Sequence, residues 1–114
     1  MYPSGRWEGF WVQESLGRQA MSRLYLRFAA GRVTGEGQDV VGRFRFTGRY
    51  DEPTGEVRLV KQYLGRHQVL YVGRPDGEGS LHGTWSIGPD WTGPFLLRPV
   101  LPTPTGEEPI QEIG

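Results

Sequence analysis

Apolar and polar residues alternate along most of this chain, in short stretches that Gly, Pro and Asp residues separate. Alternation with a period of two is typical of a β-strand with one buried face. The apolar spacing of an amphipathic helix is absent, and we expect almost no helix. The pattern predicts eight strands, over residues 6–13, 19–29, 32–38, 41–50, 56–64, 67–74, 80–88 and 91–100.

The connections between these strands are short, and the clearest is the turn Asp51-Glu52-Pro53-Thr54-Gly55. Short turns make successive strands antiparallel neighbours, and eight such strands can close so that no sheet edge stays exposed. The predicted fold class is therefore all-β, a single small antiparallel up-and-down barrel over residues 1–100. Residues 101–114 are rich in Pro and are predicted to form an extended or disordered tail.

Apolar residues decide which face of each strand points into the barrel. In the fourth strand Phe44 and Phe46 share one face, and Arg43 and Arg45 take the other. The same argument turns inward the residues Trp7, Trp11, Leu24, Leu26, Phe28, Val33, Leu81 and Trp85. The fifth strand is less clear, because both of its faces carry apolar residues, and its inward set is either Val57, Leu59, Lys61 and Tyr63 or Arg58, Val60, Gln62 and Leu64. Glycines recur on the inner face, where they either make room for large rings and tight coiling or line a cavity.

The amino-acid composition argues against several kinds of site and partner. The chain has no cysteine and two histidines, and strand alternation points His82 outward, so we predict neither a disulfide nor a metal site. No motif indicates a cofactor. Acidic and basic residues balance at 13 each, from which we expect no nucleic-acid or membrane partner. Without an apolar leader segment, the protein is expected to be soluble and cytoplasmic.

Polar side chains gather at one end of the predicted barrel. Lys61 and Tyr63 end the fifth strand there and His67 begins the sixth, and the same end receives Gln13, Ser22 and Asp39. Polar groups above aromatic walls are typical of a small-ligand pocket. The predicted ligand-binding residues are Trp7, Trp11, Phe44, Phe46, Lys61, Tyr63, His67, Tyr71 and Trp85.

Structural roles for the same polar residues stay open. The stem of Lys61 can lie along the wall with its ammonium in water, and His67 can be an ordinary surface residue after a turn. The tyrosines can fill the barrel with their hydroxyls at the rim. Asp39 can simply cap its turn.

Three short motifs resemble the avidin and streptavidin family of eight-stranded barrels: Gly5-Arg6-Trp7, Gly48-Arg49-Tyr50-Asp51 and Gly83-Thr84-Trp85. Their spacing is compatible with that family over roughly residues 5–99. The resemblance implies an avidin- or lipocalin-like barrel. It implies no biotin contact, since the chain contains no Asn to match the one that binds the ureido oxygen in that family.

Three functions fit this predicted site. The first is a barrel that binds a small molecule through an aromatic-lined pocket with a polar mouth. The second is a small isomerase, cyclase or lyase that uses Lys61 as an amine or electrophile, with Tyr63 or His67 transferring a proton. The third is a protein-interaction module with a filled core, whose outward arginines contact an acidic partner or form the subunit interface of a homo-oligomer.

Overall fold

A computed structural model describes residues 2–101, and the tail predicted for the end of the chain lies almost wholly outside them. Residues 2–101 form eight β-strands and no helix. The strands are β1 Gly5–Gln13, β2 Gly17–Ala29, β3 Arg32–Gln38, β4 Arg43–Tyr50, β5 Val57–Tyr63, β6 Gln68–Pro75, β7 Leu81–Ile87 and β8 Trp91–Pro99.

The eight strands form one closed barrel in which each strand pairs with its neighbours in sequence order. All pairs are antiparallel, and β1 closes the barrel by pairing with β8 from Trp7↔Pro99 to Trp11↔Phe95. This architecture confirms the predicted all-β up-and-down barrel. No helix capable of crossing a membrane occurs in the described part of the chain.

The turn predicted between β4 and β5 is fixed by the side chain of Asp51. Its carboxylate accepts hydrogen bonds from the backbone N–H and the hydroxyl of Thr54, at 3.2 and 2.6 Å. The backbone N–H of Gly55 also donates to the Asp51 carbonyl, and Gly55 takes a φ of 77°, which favours glycine. Local sequence therefore sets this hairpin and the register of β4 against β5.

Side chains sort between the inside and the outside of the barrel as the alternation predicts. Phe44 and Phe46 are buried, whereas Arg43 and Arg45 between and beside them are exposed. His82 also points outward. The core is a continuous apolar cluster that lines the barrel from end to end, and Lys61 is buried among its side chains.

A β-bulge in β2 breaks the alternation at one place. Trp7 pairs with Leu24 but Gly9 pairs with Met21, so β2 holds one residue more than β1 between these pairs. Arg23 adopts a φ of 50° at this point. The bulge turns Met21 into the barrel and leaves Ser22 exposed. Ser22, predicted among the polar residues at the mouth end, therefore faces outward, because strict alternation does not hold across the extra residue.

Several glycines let neighbouring strands approach closely. A Cβ at Gly48 would overlap the carbonyl oxygen of Arg58 on β5, and one at Gly83 would overlap that of Val72 on β6. At Gly37 the added atom would meet the ring of Phe44. Of the two predicted roles, these glycines make room for large rings and allow tight coiling of the sheet. No glycine is among the residues that line the interior cavity described below.

The two ends of the barrel differ. At the end where β1 begins, which we call the closed end, the rings of Tyr2, Trp7, Phe28 and Tyr50 pack together with centroids 5.1–6.1 Å apart. The opposite end, which we call the mouth, carries the connections of residues 14–16, 39–42, 64–67 and 88–90. The mouth is where the predicted polar residues lie.

Candidate functional site

A buried ion pair stands at the centre of the mouth end. The Lys61 Nζ lies 2.7 Å from Oδ2 of Asp39, and both side chains are 0% exposed. Lys61 points inward from β5, between Phe46 on β4 and Val69 on β6. Asp39 follows the last residue of β3 directly. The open prediction that the ammonium reaches water is therefore wrong for Lys61, because Asp39 meets it inside the barrel.

The turn between β3 and β4 holds the Asp39 carboxylate in place. Its Oδ1 accepts a hydrogen bond from the backbone N–H of Val41 at 2.9 Å, and its own N–H donates to the carbonyl of Gly42 at 3.0 Å. Asp39 thus caps its turn, as one prediction had it. With Oδ1 engaged in the turn, Oδ2 is directed to the barrel interior.

Three donors converge on that single oxygen. Oδ2 of Asp39 accepts hydrogen bonds from Lys61 Nζ at 2.7 Å, from the Tyr63 hydroxyl at 2.8 Å and from Trp11 Nε1 at 3.0 Å. A buried carboxylate needs such partners to offset the loss of water. The three donors come from β1 and β5, so the network ties three separate parts of the barrel wall together.

The ammonium of Lys61 is also fully engaged. Besides Asp39, it donates to the Tyr71 hydroxyl at 3.1 Å and lies 3.7 Å from the sulfur of Met21. Aromatic rings surround it, with Nζ 4.3 Å from the Phe44 centroid and 4.8 Å from that of Tyr63. Such faces attract a desolvated cation. The site is an aromatic cage occupied by a lysine of the same chain.

Burial shifts the proton equilibria of this network. Loss of water lowers the pKa of Lys61 from 10.5 to about 8, although Asp39 acts in the opposite direction. Burial, followed by the hydrogen bond and charge of Asp39, raises the pKa of Tyr63 far above its usual value. Burial and Asp39 raise the pKa of Tyr71 as well. Both tyrosines are therefore neutral hydrogen-bond donors at physiological pH.

An interior cavity of about 180 Å³ opens at the mouth beside this network. Its walls are mostly apolar and aromatic. The lining residues are Trp11, Gln13, Leu16, Val41, Tyr63, His67, Val69, Tyr71, Trp85, Ile87 and Trp91. The Trp85 indole N–H donates to the Val12 carbonyl at 2.8 Å and Trp11 donates to Asp39, so neither indole offers a donor to a ligand.

The hydroxyl of Tyr71 is the exception on this cavity wall. Its oxygen accepts from Lys61, and among the described residues no acceptor takes its own proton. Tyr71 is held between the rings of Phe46 and Phe95, with centroids 5.2 and 4.6 Å away. Tyr71 therefore brings a neutral hydroxyl with an unused proton to the set of residues that line the cavity.

The structure brings together most of the predicted ligand-binding residues. Trp11, Tyr63, His67, Tyr71 and Trp85 line the cavity. His67 is an exposed rim residue, as one prediction had it, and its ring lies 5.2 Å from that of Tyr63.

The other predicted residues do not reach the cavity. Lys61, Phe44 and Phe46 lie behind its wall, packed within the core. Trp7 belongs to the closed end, where its indole N–H donates to the Pro3 carbonyl. Trp7 is therefore separated from the site by the length of β1.

Sequence reasoning missed other members of the site. Asp39 was predicted at the mouth, but its hydrogen bonds with Trp11, Lys61 and Tyr63 were not. The signal in the sequence is an acidic residue directly after a strand. Met21 was missed because of the bulge. Leu16 lies in a mouth connection, to which alternation assigns no direction, and Trp91 is the first residue of β8.

In residues 2–101 no three His, Asp or Glu side chains come together as a metal site requires. A larger and more polar groove of about 590 Å³ lies outside the barrel over β2, β3 and β4, and Arg23, Glu36, Arg43 and Arg45 are among its lining residues. Because its lining is mostly polar and charged, whereas the smaller cavity has apolar walls and adjoins the buried ion-pair network, the smaller cavity is the candidate site.

Comparison with known proteins gave no match to a family model, to a curated protein or to a solved structure.

Proposed function

We propose that the protein is a binding barrel for a small, uncharged and largely apolar molecule that carries one hydrogen-bond acceptor. The observation that carries this proposal is the apolar cavity whose lining includes Tyr71, a buried residue with a hydroxyl proton that no acceptor among the described residues takes. Ligand pockets commonly combine apolar walls with a few placed polar groups that fix orientation.

The size of the cavity supports a ring-sized ligand. Apolar protein cavities of roughly 150 Å³ hold one benzene-sized molecule, and this one measures about 180 Å³. Rings of Trp11, Tyr71 and Trp85 form its walls, and Trp11 and Trp85 meet edge to face with centroids 6.2 Å apart. A flat or compact ring can contact all three.

The charge arrangement supports a neutral ligand. Lys61 is already neutralised by Asp39 at 2.7 Å and does not line the cavity. An anionic ligand would have to break that pair or go without a cation, and leaving a buried charge without its partner is costly. An anionic ligand is therefore disfavoured, and an uncharged hydrogen-bond acceptor fits the cavity better.

Three ring compounds of similar size test the proposal: cyclohexanone, methylcyclohexane and cyclohexanecarboxylate. We expect cyclohexanone to bind most tightly, because its carbonyl accepts the Tyr71 hydrogen bond. The readout is fluorescence of the wall tryptophans Trp11 and Trp85. The variant Tyr71→Phe should weaken cyclohexanone binding about tenfold and leave methylcyclohexane unchanged.

Tyr50→Phe provides the matched control, since Tyr50 lies at the closed end. It should bind all three compounds as the wild type does. Tighter binding of the carboxylate than of the ketone would contradict a neutral ligand, and a folded protein with no response to any of them would contradict the cavity as a binding site.

Amine catalysis by Lys61, with Tyr63 or His67 as the proton-transfer group, is the second candidate. The lowered pKa of Lys61 favours it, because a fraction of the amine is unprotonated near pH 8. The same ketone separates the two functions. Condensation of a reactive amine with cyclohexanone releases water, and borohydride reduces the imine to a stable secondary amine that mass spectrometry detects on Lys61. Binding without this adduct supports the binding barrel alone.

The third function, an interaction module with a filled core, has less support. That function assumes that side chains fill the whole barrel, whereas a cavity opens at the mouth end. The avidin resemblance supports the barrel architecture as a scaffold for a small ligand and supplies no contact to one.

A further inference from the structure

Arginines are concentrated on the outer face of one half of the barrel. Strands β2–β5 carry one exposed acid, Glu36, and eight exposed arginines, Arg18, Arg23, Arg27, Arg32, Arg43, Arg45, Arg49 and Arg58. The other four strands carry three arginines and Glu8, which pairs with Arg98 at 2.6 Å. Arg18 lies over the ring of Phe10 on β1, at 4.0 Å from its centroid. We call the other seven arginines of β2–β5 the arginine wall.

The acids that balance this charge lie outside the strands. In residues 2–101 all acids except Glu8 and Glu36 occupy the connections, at Glu14, Asp39, Asp51, Glu52, Glu56, Asp76, Glu78 and Asp90. The ion pairs of these residues join Lys61 to Asp39 and Arg98 to Glu8, so the described part of the chain gives the arginine wall no ion-pair partner. The neutral total charge, from which we expected no nucleic-acid partner, conceals this separation.

Three members of the arginine wall directly oppose one another. Arg49 on β4 pairs in register with Arg32 on β3 and with Arg58 on β5. Like charges directly opposite each other on neighbouring strands destabilise a sheet. An anion from outside the chain would offset this repulsion.

The wall also contains a concave part. Arg23, Arg43 and Arg45 line the groove of about 590 Å³ over β2, β3 and β4, together with Tyr25 and the single acid Glu36. Tyr25 is 47% exposed, and no other large apolar side chain of β2–β5 is exposed. A positively charged groove with an exposed aromatic ring is typical of sites that bind single-stranded nucleic acid.

From these observations we propose that the arginine wall binds a single-stranded nucleic acid. Guanidinium groups bind phosphate oxygens through two parallel hydrogen bonds, and they are the only cationic side chains on this face because the sole lysine is buried. The phosphate backbone lies along the arginines, and one base stacks on the ring of Tyr25.

The composition of the outer face distinguishes this partner from an acidic protein. The centre of a protein interface is largely apolar and is depleted of charged residues. On β2–β5 the outward arginines are instead separated by polar residues such as Thr34 and Thr47, and Tyr25 is the one exposed large apolar residue. A nucleic acid supplies one phosphate per nucleotide and needs no apolar centre.

Fluorescence anisotropy of a labelled oligothymidylate of about 12 nucleotides tests the proposal with the full chain. Neutralising about four phosphates of a single strand gives a slope of about −3 for the logarithm of affinity against the logarithm of salt concentration. We therefore expect affinity to fall about 50-fold between roughly 50 and 200 mM salt. The assay needs no cavity ligand, so its outcome does not depend on the proposed function.

Charge reversal within the arginine row separates binding from folding. Arg49→Glu places an acid between Arg32 and Arg58, so urea unfolding should show a fold at least as stable as the wild type. The same variant should bind the oligonucleotide at least about tenfold more weakly. Arg98→Glu is the matched control, because it makes the same change in net charge on β8, on the opposite side of the closed barrel from β4. It removes only an exposed ion pair and should bind as the wild type does.

Two variants of Tyr25 test the stacked base. Tyr25→Ala should weaken binding about fivefold or more, because it removes the ring on which the base stacks. Tyr25→Phe keeps the ring and should bind as the wild type does. Equal binding by both variants and the wild type would contradict a base on Tyr25.

Three further results would overturn the proposal. The first is the absence of oligonucleotide binding at low salt. The second is equal weakening by Arg49→Glu and Arg98→Glu, which would mean that net charge and not the arginine wall determines binding. Polyglutamate of similar charge is expected to bind more weakly than the oligonucleotide. The third result is tighter binding of polyglutamate, which would assign the wall to an acidic protein.

Discussion

At the scale of single residues, Asp39 shows how one side chain can combine a local and a long-range role. Its Oδ1 accepts from the backbone of Val41, two residues away, and its Oδ2 meets Lys61 and Trp11 from other strands. Each role alone is ordinary for an aspartate. Together they couple the geometry of a mouth turn to the charge of the core.

This coupling gives a prediction for a double-mutant cycle. Lys61→Met should lower the free energy of unfolding by about 3–5 kcal/mol, because it leaves the Asp39 carboxylate buried without its cation. Asp39→Asn keeps an acceptor for Val41 and removes the charge. Combined with Lys61→Met, it should recover about 1–3 kcal/mol relative to the sum of the single changes.

Urea unfolding of the four proteins measures the cycle. The coupling free energy between the two substitutions differs from zero only if Lys61 and Asp39 interact inside the barrel. Additive effects, with no coupling between the two substitutions, would show that each contributes separately and that the ion pair is not the source of the stability.

At the scale of elements, strand bounds and facing follow from the sequence because alternation, turn residues and aromatic positions all indicate the same barrel. The turn at Asp51 and the outward arginines Arg43 and Arg45 were predictable on these grounds. The bulge of β2 was not, since nothing in the stretch around Arg23 distinguishes a left-handed residue from an extended one. Ser22 and Met21 exchanged faces as a result.

Strand glycines carry a prediction at the same scale. Gly83→Ala should destabilise the barrel by roughly 2–3 kcal/mol, because a methyl group there overlaps the carbonyl of Val72 and forces β6 and β7 apart. Gly77→Ala is the control, in a turn with a φ of 85° and no atom near the added methyl. Its cost should be about 1 kcal/mol, from backbone conformation alone.

Thermal or urea unfolding of both variants separates close strand packing from backbone conformation. Equal losses at the two positions would mean that the barrel wall yields around an alanine as easily as an exposed turn does, and that close approach of β6 and β7 is not required.

At the scale of the whole molecule, one end of the barrel is filled with packed rings and the other end contains a cavity. Rings of Tyr2, Trp7 and Phe28 fill the closed end, whereas the mouth holds the cavity and the ion pair. Sequence placed polar groups at the mouth correctly, as strand order alone decides which turns share an end. It could not show that Lys61 is withdrawn from the cavity, because that depends on which atoms Asp39 reaches.

The ion pair links the stability of the whole barrel to pH. In the unfolded chain Lys61 has its ordinary pKa of 10.5, and in the barrel burial lowers this pKa to about 8. Between these values the unfolded chain holds a proton that the folded one has lost, so the free energy of unfolding should rise with pH across this window, by roughly 1–3 kcal/mol. Above pH 10 it should fall, since the raised pKa values of Tyr63 and Tyr71 keep them protonated only in the barrel.

Lys61 is the sole lysine of the chain, which makes this dependence assignable to one residue. Urea unfolding from pH 7 to pH 10 should show the rise in the wild type and not in Lys61→Met, in which the tyrosines and the other titrating groups are retained. The chemical shift of the single lysine Cε should titrate near pH 8 in the folded protein, because the amine loses its proton inside the barrel. A midpoint near the ordinary value, with the same pH dependence in both proteins, would mean that hydrogen bonds from the ammonium to Asp39 and Tyr71 outweigh the loss of water, and that the cage holds a permanently charged lysine.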